Sequence, residues 1–495
     1  MPSQSISTSL YTVEQVRGLD QAAIAGGISG FELMQAAASA AFALMRARWP
    51  DARRVLVLAG GGNNGGDAFL VARLASSAGL DVHVVALGGE SRGDAALARA
   101  AWLESSGAVE IADEGTLLPA ADVLIDGLFG TGLTRAPSGL AAILIEQINA
   151  HGASKLSLDV PSGLNADSGI ASGVVVRADA TISFVGWKRG LFTADAVDCC
   201  GSLSLDSLEI PASTRFDFPA DACLLDAGIV SLLPPRKFNV NKGTFGHVLT
   251  VGGDEGMAGA VTLCAEAALR VGAGLVSVAT RAVHVGAING RRPELMVRAV
   301  DGPQSVQNSI DRASVVALGP GLGQQAWGHA LCDAVLRSGK PCVLDADALN
   351  LLARARVDLP NEVVLTPHPG EAARLLRCDV TEVQSDRFAA VRELAQRYSA
   401  VVVLKGAGSL IANPEREVAL CPFGNPGMAS GGMGDLLTGV IAGLIAQGLS
   451  TWDAARLGVV AHAIAGDRAA GDCPRGMVAG DLLPFLRAFV NSGRT

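Results

Sequence analysis

Three short runs concentrate the polar chemistry of the first half of the chain. They are Gly60-Gly61-Gly62-Asn63-Asn64-Gly65-Gly66-Asp67, Asp126-Gly127-Leu128-Phe129-Gly130-Thr131-Gly132-Leu133 and Asp159-Val160-Pro161-Ser162-Gly163-Leu164. The first follows the apolar stretch Val55–Ala59 and precedes a helix-like segment, Ala68 to Ala78. A buried strand that empties through glycines into a helix start aims several backbone N–H groups at one spot, which suits a phosphate or pyrophosphate. The carboxamides and carboxylate of the same turn add directional acceptors that a plain phosphate loop does not need. Asn64, Asp126 and Ser162 together offer hard oxygen ligands with one formal negative charge. That donor set fits a monovalent cation such as potassium better than zinc, which prefers His or Cys, or magnesium, which keeps water and carboxylates. Asp159, beside the glycine-rich turns, is the natural proton carrier.

The second half carries its own set. Gly431-Gly432-Met433-Gly434-Asp435 opens an apolar helix, so exposed N–H groups align with the helix dipole as an anion hole, and Asp435 in the first turn can accept a hydroxyl proton. Lys405-Gly406-Ala407-Gly408-Ser409 ends an apolar run and can hold nucleotide phosphates through the lysine and loop amides. His368 sits between Pro367 and Pro369, which aim its imidazole. Gly319-Pro320-Gly321-Leu322-Gly323 suits close backbone approach, and Asp345 and Asp347 can orient a ribose or a metal, or simply cap a helix.

Positioning these groups takes strands that end where the motifs begin. Val55–Ala59, Val82–Leu87, Val123–Asp126 and Leu156–Val160 read as continuously buried strands, separated by Ala/Leu patterns of helical period. The rhythm restarts after residue 222 with strands at His247–Val251, Leu275–Ala279, Val315–Leu318, Cys342–Asp345, Val363–Leu365 and Val401–Leu404. Helices are expected at Ala258–Val271, Gly434–Ala446 and Trp452–Ala470. Alternating strands and helices imply mostly parallel sheets covered on both faces, with ligands at the carboxyl ends of the strands. The expected fold is therefore α/β in two domains, 1–222 and 223–495, divided at the proline-rich stretch Glu209 to Lys237.

Bulk composition narrows the function classes. A chain of 495 residues exceeds the size of a single core, and 60 glycines with 49% hydrophobic residues describe a compact enzyme with glycine turns. A net charge of -9 without a basic cluster, and 4% aromatics, disfavour nucleic-acid and anionic-membrane binding. Nine dispersed cysteines without a CxxC pair read as reduced thiols. Residues 1–10 lack a secretory pattern, and Thr438 to Leu449 is too short and glycine-broken to span a bilayer, so a cytoplasmic location is expected.

The runs GGGNNGGD, DGLFGTGL and DVPSGLNADSG resemble the NAD(P)H-hydrate epimerase domain, over about residues 10–210. That resemblance implies a Rossmann-like αβα fold. It implies that Asn63, Asn64, Gly65, Gly66 and Asp67, with Gly130, Thr131, Gly132, Leu133, Thr134, Arg135 and Ala136, cradle the phosphates of hydrated NADH or NADPH. It further implies that Asn64, Asp126 and Ser162 bind potassium and that Asp159 lies near the reacting carbon. The series GPGLG, LDADALN, TPHPGE, KGAGS and NPGMASGGMGDLLTG is similar to the NAD(P)H-hydrate dehydratase domain, a ribokinase-like fold, over about residues 225–490. Here the resemblance implies contacts from Ala260, Gly323, His368 and Asp435 to the hydrated cofactor, and from Lys405, Gly406, Ala407, Gly408, Ser409 and Gly434 to ADP. Magnesium in the dehydratase domain and a homo-oligomer are also expected. Ala68, Asn241 and Met433 depart from common family residues without removing a backbone donor.

Taken from the residues alone, two rival readings stay open. The alternative for the second half is a small-molecule kinase, because the anion hole serves any hydroxyl; that for the first half is a ligand-binding or RNA-binding module, against which Asp159, Asn64, Ser162 and the acidic charge speak.

Overall fold

A computed structural model of the chain describes residues 8–133, 135–355 and 358–492. It divides into two compact units, Met1–Cys223 and Leu224–Thr495.

The first unit is built on seven parallel strands. Their spatial order is Glu110–Ile111, Asp81–Ala86, Arg54–Ala59, Val123–Gly127, Ser154–Leu158, Ala180–Phe184 and Ser202–Asp206. Helices cover both faces. One core gathers Leu33, Met34, Phe69 and Trp102 against Val55, Val57 and Ile125; the other packs Leu144, Ile145 and Ile148 against Leu56, Leu58 and Leu124. Alternate residues of one strand thus feed opposite cores, the period-2 pattern of a doubly covered sheet. Helix Gly30–Arg48 illustrates the local cause. Ser29 and Glu32 close a capping box, and Leu33, Met34, Ala37, Ala38, Ala41 and Met45 form its buried stripe. Each fully buried Leu or Met contributes about 1.5–3 kcal/mol.

Two expectations are corrected here. The helix after the first glycine turn starts at Asn63, so the Asn-Asn-Gly-Gly-Asp run is its first turn rather than a loop ahead of Ala68. Glycine stands inside that turn because a Cβ at Gly65 would overlap the Gly60 carbonyl oxygen, and one at Gly66 would lie 2.6 Å from Met34 Sδ. Strand Asp81–Ala86 is also not continuously buried: its first three residues are exposed or half-buried, because it lies next to a two-residue edge strand.

The second unit carries seven parallel strands in the order Met296–Ala299, Leu275–Thr280, His247–Val251, Val315–Leu318, Cys342–Leu344, Val363–Leu365 and Val401–Leu404. A hairpin, Ser409–Asn413 with Arg416–Cys421, adds two antiparallel strands beyond Val401–Leu404. The hairpin and the strand Met296–Ala299 went unforeseen, since both hold exposed or polar residues in short runs. Helix Met433–Ala446 is buried almost all round and packs on helix Ala258–Arg270. The approach is so close that a Cβ at Gly439 would overlap the Cys264 carbonyl oxygen.

In both sheets the strand order reverses once, between Arg54–Ala59 and Val123–Gly127 and between His247–Val251 and Val315–Leu318. Such switch points open a crevice at the carboxyl ends of the strands. All nine cysteines are free thiols, and among the described residues no single helix is long and apolar enough to cross a membrane.

Candidate active sites

At the switch point of the first unit lies a cavity of about 630 Å³. Asn63, Asn64, Asp67, Gly130, Thr131, Gly132, Leu133, Arg135 and Asp159 all line it. Gly65 and Gly66 are buried behind that wall, where they permit the tight helix start. Ala136 is not on the wall and faces Gly173, where a Cβ would lie 3.6 Å away. Thr134 falls outside the described residues.

Asp159 follows strand Ser154–Leu158 with a left-handed backbone, φ 65°. Asp tolerates that region better than most residues, and such strain collects at functional sites. The fully buried Lys188 donates to Asp159 Oδ1, while its other hydrogen bonds run to Phe184 O at 2.8 Å and Ser183 Oγ at 3.2 Å. The Phe184 amide also donates to Oδ1, at 3.4 Å, so Oδ2 carries no hydrogen bond among the described residues. Three further aspartates, Asp20, Asp67 and Asp94, line the cavity. Burial, with Asp159 and Asp20 nearby, pushes Asp67 well above the usual carboxylate range; burial, partly offset by Lys188, lifts Asp20 to about 6.

Behind the cavity, Asp126 is fully buried on the strand next to Arg54–Ala59. Its Oδ1 accepts from Ser162 Oγ at 2.5 Å, and its Oδ2 from Ser157 Oγ at 2.8 Å and the Ser162 amide at 2.9 Å. Burial nonetheless holds its pKa above the ordinary value, against those donors. Asn64 Nδ2 donates to Phe129 O at 2.9 Å, whereas Asn64 Oδ1 is buried without a hydrogen-bond partner among the described residues. An orphaned acceptor beside a buried carboxylate and a serine hydroxyl is what a weakly charged cation satisfies. Asn64 Nδ2 and Ser162 Oγ meet at the same Phe129 carbonyl, and Ser162 Oγ bonds Asp126, so the chemistry of this oxygen donor set is compatible with such a cation.

The second site gathers at the start of helix Met433–Ala446. Gly432 turns in at φ 91° and places Gly434 and Asp435 in the first turn. Asp435 lies next to a buried ion pair: Lys405 Nζ is 2.7 Å from Asp345 Oδ1, and 3.7 Å from Glu371 Oε2. Thr366 and Thr438 hydroxyls also donate to Asp345, at 2.9 and 3.0 Å. Burial would raise Asp345, but Lys405 and these hydroxyls outweigh it and leave its carboxyl below the usual range. Among the described residues Asp435 has no such partner. Burial and the neighbouring Asp345 charge lift it to about 6, with Lys405 opposing. A Cβ at Gly434 would lie 3.2 Å from Lys405 Nζ, so glycine there keeps the lysine at the helix mouth.

The remaining expected residues fall around this centre with roles the sequence only partly announced. His368 caps helix Pro369–Leu376, its Nδ1 accepting from the Gly370 and Glu371 amides at 3.0 and 3.4 Å. Its half-exposed ring is held below the usual histidine pKa by burial and by Lys405 and Arg374. Gly323 has φ 72° and donates to Asp347 Oδ2 at 2.9 Å, so Asp347 fastens that glycine turn. Ala260 faces the same turn, 3.3 Å from the Cβ that Gly321 lacks. Exposed Gly406 and Ala407 cross above the buried Arg387, which donates at 3.4 Å to Lys405 O and Gly408 O; Ser409 Oγ closes the turn on Gly406 O at 3.0 Å. Asp345 is turned inward to Lys405 and makes no helix-capping bond.

Three residues at these sites escaped the sequence reading: Lys188, Asp20 and Arg387. A lysine directly after the apolar run Phe184-Val185-Gly186-Trp187 was a usable signal, because a lysine fully buried with such a run needs a partner. Asp20 and Arg387 lie in ordinary amphipathic helices and carried none.

Comparison with known proteins agrees with this geometry. Residues 248–486 match the family model for NAD(P)H-hydrate dehydratase, and residues 30–190 match that of the YjeF-related protein N-terminus. The chain is 46% identical to the bifunctional NAD(P)H-hydrate repair enzyme Nnr of Coxiella burnetii, across 98% of this chain and 100% of the relative. It is 44% identical to that of Escherichia coli, across 96% and 92%. Among solved structures, a ribokinase-like superfamily protein of Enterococcus faecalis superposes with a TM-score of 0.52 at 28% identity, over 55% of this chain and 96% of that one. With an epimerase-type Rossmann-like unit and a ribokinase-like dehydratase unit, this chain belongs to the family of bifunctional NAD(P)H-hydrate repair enzymes.

Proposed function

We propose that the chain restores hydrated NADH and NADPH in two steps. Residues 1–222 interconvert the R and S forms at C6, and residues 223–495 dehydrate the S form with ADP, releasing AMP and phosphate. The observation that carries this reading is Asp435: half-buried, without a hydrogen bond among the described residues, raised to about 6 and set at a helix start beside Lys405. It accepts the proton of the C6 hydroxyl as that oxygen takes the terminal phosphoryl group of ADP. The new phosphate ester leaves as the ring nitrogen pushes electrons towards C6, the C5 proton is lost, and the 5,6 double bond returns. Backbone N–H groups at Gly434 and in the Lys405–Ser409 turn hold the phosphates, and Lys405 adds positive charge at the helix mouth. His368, Ala260 and Gly323 bound the nicotinamide side. Asp345 and Asp347 are engaged by Lys405 and Gly323, so no step is assigned to magnesium.

In the first unit, Asp159 exchanges the proton at the reacting centre through Oδ2, while Lys188 fixes Oδ1. Asn63, Asp67 and the Gly130–Arg135 turn hold the cofactor's phosphate end. Potassium, when bound by Asn64, Asp126 and Ser162, supplies a positive charge behind that turn. Mixed-epimer hydrated NADPH, given ADP, should return completely to reduced cofactor by absorbance. Recovery that stalls after the S fraction would remove the epimerase half of the proposal.

A further inference from the structure

A second cavity, of about 870 Å³, lies in the unit 224–495 but away from Asp435. Its walls include Arg236, Arg270, Arg292 and Arg487, with Glu266 and Glu294 as the only carboxylates among its described residues. Helix Ala258–Arg270 carries Ala260 near its start and Arg270 at its end, about 15 Å along the axis. Helix Met433–Ala446 likewise starts at the Asp435 site and ends beside Gln447 on this wall. The two sites therefore occupy opposite ends of the same helices.

Arginines near helix C-termini often serve only to satisfy carbonyl groups. Here that role is already filled. Arg236 donates to Gly272 O and Gln447 Oε1, and Gln447 Nε2 donates to Val271 O at 3.0 Å and Gly443 O at 2.8 Å. Glu266, buried at 1% exposure, is paired with Arg291 at 2.8 Å and Arg292 at 3.5 Å. Arg270 and Arg487 are left over: neither makes a side-chain hydrogen bond or ion pair among the described residues. Glu266 Oε2 is the oxygen that faces Arg292, at 3.5 Å, so this carboxylate is already compensated by the arginines beside it. A chain of net charge -9 that converges four guanidinium groups on one cavity, two of them uncommitted, has built an anion site. Its volume falls in the range of small-molecule pockets.

We propose that this cavity binds a small phosphate-bearing anion, held by Arg270 and Arg487. Calorimetric titration of the full chain with inorganic pyrophosphate tests it. The intact protein should bind one equivalent more than Arg270→Gln/Arg487→Gln, with that site weakened about a hundredfold for two lost charge-assisted hydrogen bonds. Arg487→Gln alone, an exposed change that leaves packing intact, should weaken the same site about tenfold. The KM for ADP should stay unchanged in both variants. Identical titrations for all three proteins, or pyrophosphate binding that is wholly displaced by ADP at the Asp435 site, would overturn the assignment.

Discussion

The two sites use the same parts in different pairings. Each sets a carboxylate near a strand end or helix start beside a buried lysine. In the first unit Lys188 bonds Asp159, the carboxylate proposed to react, and pins one of its oxygens. In the second, Lys405 bonds a different carboxylate, Asp345, and leaves Asp435 unbonded and raised to about 6. On the proposed mechanism, direct pairing orients a proton carrier that must work on a stereocentre. On the same mechanism, indirect pairing keeps the cation close enough for phosphate while leaving a carboxylate with the affinity to take a hydroxyl proton. The difference follows from where the lysine is anchored, not from which residues are present.

Removing Asp435 tests the pairing most severely. Asp435→Asn should lower dehydration about 10²–10⁴-fold, the range for losing a general base, while epimer exchange followed by NMR continues at the parental rate. Loss of both activities would sink the division of labour. Lys405→Met breaks a buried pair and leaves Asp345 uncompensated, which should cost the second unit about 3–5 kcal/mol and lower its melting transition in calorimetry. The equivalent change in the first unit, Lys188→Gln, should slow epimerisation about a hundredfold and leave the ADP-dependent rate alone. An unchanged epimerisation rate would mean Lys188 only supports packing.

Acid should separate the sites further. Asp435 must be ionised to accept a proton and its pKa lies at about 6, so dehydration should rise with pH through that value and then level off. Below it the rate should fall about tenfold per pH unit, and the limb should vanish in whatever residual activity Asp435→Asn retains. The smallest effect is expected at the cation site. Asn64→Ala removes the orphaned Oδ1 acceptor, so epimerisation should lose a few-fold of its response to potassium over sodium, read as rate against potassium chloride. Equal responses in the parent and the variant would take Asn64 out of the ligand set.

Much of this was legible one segment at a time. Val315–Leu318 and Val401–Leu404 are short apolar runs bounded by glycine or lysine, and the strands end where the text of the chain turns polar. Asp435 stands beside glycines at an apolar helix, a purely local signal. Other features depend on contacts between distant residues. Asp126 and Ser162 are 36 positions apart, and Lys405 and Asp345 are 60 apart, yet each pair meets because parallel strands carry their ends to one crevice. The glycine turn was misread as a loop because its glycines answer to packing, against the Gly60 carbonyl and Met34, rather than to the backbone freedom that marks loops.

From the residues alone came the alternation of strand and helix, the strand-end placement of the polar runs and the acid at the anion hole, because these follow from periodicity and local backbone chemistry. Tertiary structure alone decided which carboxylate each buried lysine meets, which acceptor is left without a donor and where the uncommitted arginines converge. Burial and partner choice set the charge and reactivity of a group, and both are properties of neighbours that the chain brings together only by folding.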